Sequence, residues 1–199
     1  MGETIIPAIA SSSVLIAILE FVRFLVKRRD EKIKSRKSYD SLLSNIQDVY
    51  EIFNKVLVNT NAKRIAILTT TNGGGTPSIG KNLYSSVLYE SYSDGMKPLK
   101  SAWQKVLLDE QYLKMLNEVY TSGTSLVKTE ELKEESFLKD IYLSSNIEVA
   151  EVFSIASDEL RFIYLSINYG KDFEIDSNHR NMNRLFVSEL RNLFKTIEL

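Results

Sequence analysis

The stretch Ile147–Gly170, IEVAEVFSIASDELRFIYLSINYG, decides the fold of this chain. It contains two runs rich in apolar and β-branched residues, Ile147–Ala156 and Leu160–Gly170. Such runs are typical of buried strands. Only the polar residues 157–159 separate them, and so short a connection predicts a tight antiparallel hairpin. The end of the chain is therefore expected to contribute two paired strands to a sheet.

A helix is expected after this hairpin, over Ser177–Ile197. Apolar residues recur there at steps of three and four, which is the spacing of one helical face. Ser177 could cap the first turn. The apolar stripe consists of Met182, Leu185, Phe186, Leu190, Leu193, Phe194 and Ile197.

Strands and helices also alternate upstream of the hairpin. Gly123 could end one of the helices in a left-handed conformation, and Ser38 could begin another. The apolar stripe of the helix at 38–58 could pack on its own domain, join protomers in a short parallel coiled coil, or do both. The pattern as a whole predicts an α+β fold. The predicted strands are Lys63–Thr70, Leu83–Ser91 and Thr124–Lys128, and the predicted helices are 38–58, Ala102–Gly123 and Glu130–Ser145.

The longest apolar stretch lies near the N-terminus, at Ile5–Val26. As a helix it would be about 33 Å long, which is enough to cross the hydrocarbon core of a bilayer. Glu20 and Arg23 interrupt it three residues apart, where they could pair on one helical face. We therefore expect residues 1–26 to form a single membrane-spanning helix. A buried or amphipathic helix within an assembly is the alternative.

A basic segment follows directly, Lys27–Lys37, with seven basic residues against two acidic ones. Positive charge beside a membrane span favours the cytoplasmic side. The domain that follows is therefore expected in the cytoplasm, anchored to the inner membrane. The side chains expected to contact anionic lipid headgroups are Lys27, Arg28, Arg29 and Lys32.

Composition excludes several kinds of site. The 199 residues include no cysteine and a single histidine, His179. Disulfides, thiol catalysis, cysteine zinc sites and multi-histidine metal sites are therefore excluded. A net charge of -1 argues against a nucleic-acid-binding protein. We expect a protein without enzymatic activity, cofactor or metal.

Three consecutive glycines follow the first predicted strand, in Asn72–Gly75. From Gly75 the sequence reads GTPSIGKN, so Asn82 stands where a phosphate-binding loop has a Ser or Thr hydroxyl. A strand is also predicted where such a loop would open a helix. The segment is expected to be either a flexible connection with positive φ angles, or a loop that covers a ligand or contacts a partner.

The order of these elements from Tyr39 onwards resembles the GAF/PAS-like sensor fold. Ser125–Leu132, SLVKTEEL, looks like the strand that enters the pocket-side helix of a GAF domain. Glu151–Phe194 looks like its last two strands and closing helix, with Phe173 and Asp176 in the F-x-x-D turn between them.

This resemblance implies an antiparallel sheet backed by N- and C-terminal helices, which often pair across a dimer. GAF and PAS-like domains typically bind small molecules between the sheet and the helices on one face, although many only dimerise. A covalently attached bilin is excluded because there is no cysteine. If the pocket is GAF-like, the residues expected to contact a ligand are Asn72, Gly73, Gly74, Tyr89, Glu90 and Trp103.

The sequence thus predicts three parts: a membrane-spanning helix at 1–26, a basic juxtamembrane segment at 27–37, and a GAF-like domain at 38–199 that includes helices 38–58 and 177–197. The expected function is a membrane-anchored sensor or interaction domain. It is expected to form a homodimer or a higher homo-oligomer and to bind a small molecule or a protein partner, but no nucleic acid.

A second resemblance supplies an alternative function. The block Asn72–Gln104 is similar to a group of uncharacterised membrane-anchored proteins of phages and bacteria. Phage lysis proteins of the holin or antiholin type can also carry one N-terminal span and a larger soluble α/β domain. That domain is periplasmic in the holins of T-even-type phages, which the basic segment 27–37 opposes.

Overall fold

The computed structural model describes residues 23–24, 27–28, 43–73, 78, 81–171, 173 and 175–196. The chain divides into two compact units, Met1–Gln47 and Asp48–Leu199. The described residues of the first unit are all helical. The second unit contains the sheet.

The structure contains both helices and strands, as the sequence predicts. In chain order they are helix α1 (43–60), strands β1 (Arg64–Thr71), β2 (Tyr84–Tyr92) and β3 (Val106–Leu107), helix α2 (Glu110–Ser122), strand β4 (Thr124–Lys128), a 3-10 turn (Thr129–Glu131), helix α3 (Phe137–Ser144), strands β5 (Val149–Ser157) and β6 (Phe162–Tyr169), and helix α4 (Ser177–Thr196).

The six strands form one antiparallel sheet in the order β3-β2-β1-β6-β5-β4. The predicted hairpin is present as β5 and β6, and β6 pairs with β1 on its other side. Seven of the eight residues are buried in each of the central strands β1 and β6. Because these strands are buried on both faces, each face of the sheet needs a covering layer.

Helices α1 and α4 cover one face. Alternate side chains of β1, β6 and β5 point towards them, and the two helices contribute residues at helical spacing. The buried side chains of this layer include Val49, Phe53 and Val56 of α1, Ile65 and Ile67 of β1, Leu165 and Ile167 of β6, and Val187, Leu190 and Phe194 of α4.

Helices α2 and α3 cover the opposite face, together with the segment between β2 and β3. The other set of alternating strand residues lies here. The buried side chains of this second layer include Ala66, Leu68, Val87, Trp103, Tyr112, Met115, Val119, Leu138, Tyr142, Val152 and Tyr164.

Helix α2 begins at Glu110, so the prediction of a helix from Ala102 was wrong at its start. The Asp109 carboxylate accepts a hydrogen bond from the backbone N–H of Tyr112 at 2.7 Å and thereby caps the helix. Upstream, Lys105 has φ of 54°, and β3 pairs with β2 instead of continuing a helix. The end of α2 is as predicted, because Gly123 has φ of 83°.

The predicted helix Glu130–Ser145 is divided into the 3-10 turn and α3. Asp109 explains where α3 begins, since its second carboxylate oxygen accepts from the Phe137 backbone N–H at 2.9 Å and the Ser136 hydroxyl at 3.1 Å. One carboxylate therefore organises the first turns of both α2 and α3. No periodic pattern contains this information, because residues 109 and 137 are far apart in the sequence.

The first turn of α4 is capped by Asp176, not by the predicted Ser177. An Asp176 carboxylate oxygen accepts from the His179 backbone N–H at 2.8 Å and lies 2.7 Å from His179 Nδ1. These contacts lower the pKa of the Asp176 carboxyl, with the backbone hydrogen bond as the largest cause. Phe173 packs on the same turn, edge to face with the His179 ring.

The predicted membrane segment lies almost entirely outside the described residues. Within the part that is described, no helix is long and apolar enough to cross a bilayer. Of the predicted lipid-contacting residues, Lys27 and Arg28 are helical and exposed, whereas Arg29 and Lys32 lie outside the described residues. The same is true of Ser38, the predicted first cap of helix 38–58.

Candidate functional site

The glycine segment is described only in part. Asn72 is buried, and Gly73 has φ of 80°, a left-handed conformation that glycine adopts at low cost. A positive φ in this segment agrees with the sequence prediction. Gly74, the third predicted contact residue of the segment, lies outside the described residues.

Tyr89 lies on the face of the sheet covered by α1 and α4. Its ring packs edge to face with Tyr50 of α1, at 6.2 Å between centroids, and the Lys100 ammonium lies 5.7 Å from its ring centroid. Burial, followed by the influence of Tyr50, raises the pKa of the Tyr89 hydroxyl. A side chain in this position cannot contact a ligand held on the opposite face.

Glu90 holds a loop. Its carboxylate oxygens accept hydrogen bonds from the backbone N–H of Leu99 at 2.9 and 3.0 Å and from that of Lys100 at 2.8 Å. Charge-assisted hydrogen bonds of this kind are strong. Glu90 therefore fixes the segment that leads to Trp103, and its carboxylate is engaged with protein backbone.

Trp103 is a buried residue of the layer formed with α2 and α3, with 3% of its surface exposed. Its ring packs edge to face with Tyr112 and Phe137, at 5.9 and 5.7 Å between centroids. Its indole Nε1 makes no hydrogen bond within the described part of the chain. The structure thus places Trp103 and Tyr89 on opposite faces, and the predicted contact residues do not converge on one pocket.

The face of the sheet covered by α2 and α3 is filled by side chains. A cavity of only about 20 Å³, here called the inner cavity, remains between the sheet and helices α2 and α3. Its lining includes Arg64, Trp103, Tyr112, Leu138, Tyr142, Tyr164, Ser166 and Asn168. Space of this size holds about one water molecule.

Hydrogen bonds between buried hydroxyl groups hold the elements on this face together. The Tyr164 hydroxyl lies 2.6 Å from both the Ser85 hydroxyl and the Tyr112 hydroxyl. Ser85, Tyr112 and Tyr164 therefore connect β2, α2 and β6 through the interior. Because all three are buried, separating them would leave polar groups unpaired inside the protein.

A much larger cavity, of about 370 Å³, lies at one end of the sheet. We call it the hairpin cavity, because the turn between β5 and β6 contributes to its lining together with α2. It is lined by Thr70, Thr71, Leu83, Leu113, Leu116, Asn117, Tyr120, Ser157, Asp158, Leu160, Arg161 and Phe162.

Apolar side chains that face solvent gather around this cavity. Leu113, Tyr120 and Leu160 are 37%, 63% and 48% exposed, although large apolar side chains are usually covered. The Tyr120 ring packs edge to face with Phe162, at 5.5 Å between centroids. The cavity therefore has an apolar, partly aromatic wall.

Polar groups stand at the rim of the hairpin cavity. The Asp158 carboxylate accepts from the backbone N–H groups of Leu160 and Arg161 and from the Arg161 guanidinium at 2.9 and 3.1 Å. The Leu160 backbone hydrogen bond is the largest cause that lowers the pKa of the Asp158 carboxyl. Arg161 and Asp158 thus present an ion pair beside the exposed amide residue Asn117.

Sequence reasoning missed this cavity. One signal was available, because Leu113 and Tyr120 lie off the apolar stripe that buries α2 against the sheet. Apolar residues outside the buried stripe of a helix indicate a second contact surface. The hairpin residue Leu160 carried no such signal, since it was assigned to a buried strand. No group of three or more acidic or histidine side chains in the described residues could hold a metal ion.

Comparison with known proteins shows the fold. No protein-family model and no curated protein matches the chain. A far-red cyanobacteriochrome photoreceptor is similar at a TM-score of 0.59 and 12% identity, over 87% of this chain and 98% of the other. The GAF domain of a sensor histidine kinase from Bacillus halodurans is similar at 0.54 and 12% identity, over 76% and 95%.

A GAF domain/HD domain protein from Geobacter sulfurreducens is also similar, at a TM-score of 0.53 and 8% identity, over 76% of this chain and 92% of the other. Likeness at such low identity concerns the fold alone. It confirms the prediction of an α+β, GAF-like fold. The comparisons give no support to a membrane anchor or to a phage lysis protein.

The raised pKa values of the buried tyrosines predict how the stability of the fold depends on pH. Burial raises the pKa of Tyr169 to about 12, and that of Tyr112, Tyr142 and Tyr164 well above its ordinary value. The folded state therefore retains protons that the unfolded state releases above about pH 10. The free energy of unfolding is expected to fall as the pH rises through 10 towards 12 and beyond.

Spectrophotometric titration of the folded protein is the measurement, and at least these four of the ten tyrosines should not ionise before the protein unfolds. Replacing the exposed Tyr120 with Phe is the control, because Tyr120 lies outside the buried set and its loss should leave the behaviour of the four buried tyrosines unchanged. Reversible ionisation of all ten tyrosines near pH 10 in the folded state would contradict this account.

Proposed function

We propose that the chain is a non-enzymatic, GAF-like sensor domain that binds a small amphipathic molecule in the hairpin cavity. The observation that carries this proposal is the cavity itself, at about 370 Å³ with apolar walls and a polar rim. Its volume falls within the range of ligand pockets in proteins. The inner cavity, at about 20 Å³, is too small for an organic ligand in the conformation described here.

The chemistry of the lining defines the class of ligand. Leu113, Leu160 and Tyr120 offer apolar and aromatic surface, so the body of the ligand should be an aromatic ring system or a short acyl group. Asn117 and the Asp158–Arg161 pair offer both donors and acceptors at the rim. The ligand should therefore carry at least one hydrogen-bonding group at the end that faces solvent.

The position of the hairpin cavity links ligand binding to the packing of the rest of the domain. Leu113, Leu116 and Tyr120 belong to α2, whose Tyr112 is hydrogen-bonded through Tyr164 to the sheet. A ligand that moves α2 would strain this buried hydroxyl group. Ligand binding and the packing of the enclosed face are therefore coupled in this proposal.

Membrane anchoring and dimerisation are further parts of the proposal. The apolar segment 5–26 and the basic segment 27–37 support a single span with the sensor domain in the cytoplasm. Val58 of α1 and Leu185 of α4 are 82% and 66% exposed, which supports contact between protomers through α1 and α4. Protomers would then form a homodimer or a higher homo-oligomer at the inner membrane.

Removing the apolar wall should weaken ligand binding. With the fragment 38–199 and the amphipathic dye 8-anilinonaphthalene-1-sulfonate as probe, Leu160→Ser or Tyr120→Ala should raise the Kd about fivefold or more. The reason is that each substitution removes about 1 kcal/mol or more of apolar contact. Both side chains are exposed, so the fold should be retained.

Leu126→Ser is the matched control for this experiment. Leu126 is a leucine of similar exposure, 40% against 48% for Leu160, but it lies on the edge strand β4 and does not line the cavity. Its substitution should leave the Kd unchanged. Equal losses for Leu126→Ser and Leu160→Ser would show that the dye binds elsewhere, and the proposal would fail.

Topology fusions test the anchoring. A reporter placed after Leu199 in the full chain should be active only in the cytoplasm. Replacing Lys27, Arg28, Arg29 and Lys32 with glutamate should reduce the fraction of chains in this orientation, because positive charge retains a segment on the cytoplasmic side. A periplasmic signal from the unmodified chain would contradict the cytoplasmic sensor.

A further inference from the structure

Arg64 is a charged residue in the interior of the domain. It begins the central strand β1, and only 2% of its surface is exposed, which places it among the largest fully buried side chains. Its Nη2 donates to the Lys97 carbonyl at 2.7 Å and its Nη1 donates to the Ser145 hydroxyl at 3.3 Å. Both of these partners are neutral.

No negative charge is bonded to this guanidinium in the described residues. Glu90 is the acidic residue that most favours the charged form of Arg64 and so acts against the lowering of its pKa by burial. However, the Glu90 carboxylate is bonded to the backbone of Leu99 and Lys100. Burying a cation without a bonded anion is costly, and buried charges in proteins are usually paired.

The hydrogen bonds of this region are also incomplete. Arg64 Nε is buried and has no hydrogen-bond partner among the described residues, and the same is true of Trp103 Nε1. Both residues line the inner cavity. Two residues with unpartnered N–H donors, one of which also carries a positive charge, thus border one small space. Buried donors of this kind are rare in native proteins unless a water or an ion satisfies them.

We propose that the inner cavity binds a halide-sized monovalent anion, chloride, held by Arg64. A volume of about 20 Å³ admits a particle close in size to a water molecule, which excludes sulfate, phosphate and organic carboxylates. A water could satisfy the donors but would leave the buried charge unpaired. Chloride accepts hydrogen bonds and neutralises the guanidinium at once.

The proposed anion would stabilise the domain. Arg64 contacts Lys97 in the loop after β2 and Ser145 at the end of α3, so an anion beside it would hold both segments against β1. A ligand that binds only the folded state increases the free energy of unfolding. Above the Kd, this increase grows with the logarithm of the free ligand concentration. The site is separate from the hairpin cavity and does not depend on the proposed sensor function.

Thermal unfolding of the full chain in detergent tests the proposal. The emission of Trp103, the only tryptophan, reports unfolding. When chloride replaces gluconate at constant ionic strength, Tm should rise by about 3–5 °C once chloride exceeds its Kd about tenfold. Bromide should act like chloride, whereas sulfate should not. A Tm that depends on ionic strength alone would overturn the proposal.

Arg64→Met should remove the response to chloride, because the variant keeps an apolar side chain of similar length and has no charge to neutralise. Arg184→Met, which removes an exposed arginine of α4, should keep the response. If Arg64→Met does not fold, crystals of the unmodified chain grown in bromide decide the question. An anomalous peak within hydrogen-bond distance of Arg64 supports the site, and a peak-free cavity overturns it.

Discussion

Burial of the central strand on both faces is the constraint on which this structure depends. Every residue of β1 from Arg64 to Thr70 is buried, and β6 beside it is buried to the same degree. Neither strand can face water on either side without exposing apolar side chains. The chain therefore supplies one helical layer from α1 and α4, and a second from α2 and α3. The same constraint forces Arg64, the one charged residue of β1, into the interior.

The face covered by α2 and α3 is densely packed, whereas open space remains at one end of the sheet. This difference indicates where the candidate sites lie. On the face covered by α2 and α3, Trp103 and three tyrosines fill most of the space between the sheet and the helices. What remains is a space of atomic size beside a buried cation. Room for an organic molecule is found instead where the sheet ends, between α2 and the β5–β6 turn. The buried hydroxyls of Ser85, Tyr164 and Tyr112 connect these two regions through α2.

Elements whose evidence is local were predictable from the sequence. The hairpin, β1, β4, α4 and the left-handed Gly123 follow from alternation, helical spacing and the conformational freedom of glycine. Features that depend on contacts between distant residues were not. Asp109 caps both α2 and α3, and a bulge shifts the pairing of β1 with β2 between Ile67 and Leu68. The hairpin cavity is also lined by separate parts of the chain, at residues 70–71, 83, 113–120 and 157–162, and only Leu113 and Tyr120 stood out in the sequence pattern.

The central claim is that an organic ligand enters the hairpin cavity and not the face enclosed by α2 and α3. Methyl NMR of leucine-labelled protein during titration with 8-anilinonaphthalene-1-sulfonate tests this claim most directly. The account predicts the largest saturable shifts for the methyl groups of Leu113, Leu116 and Leu160, which line the hairpin cavity, and smaller ones for Leu138, which lines the inner cavity. Shifts centred on Leu138 with no change at Leu113 and Leu160 would contradict it.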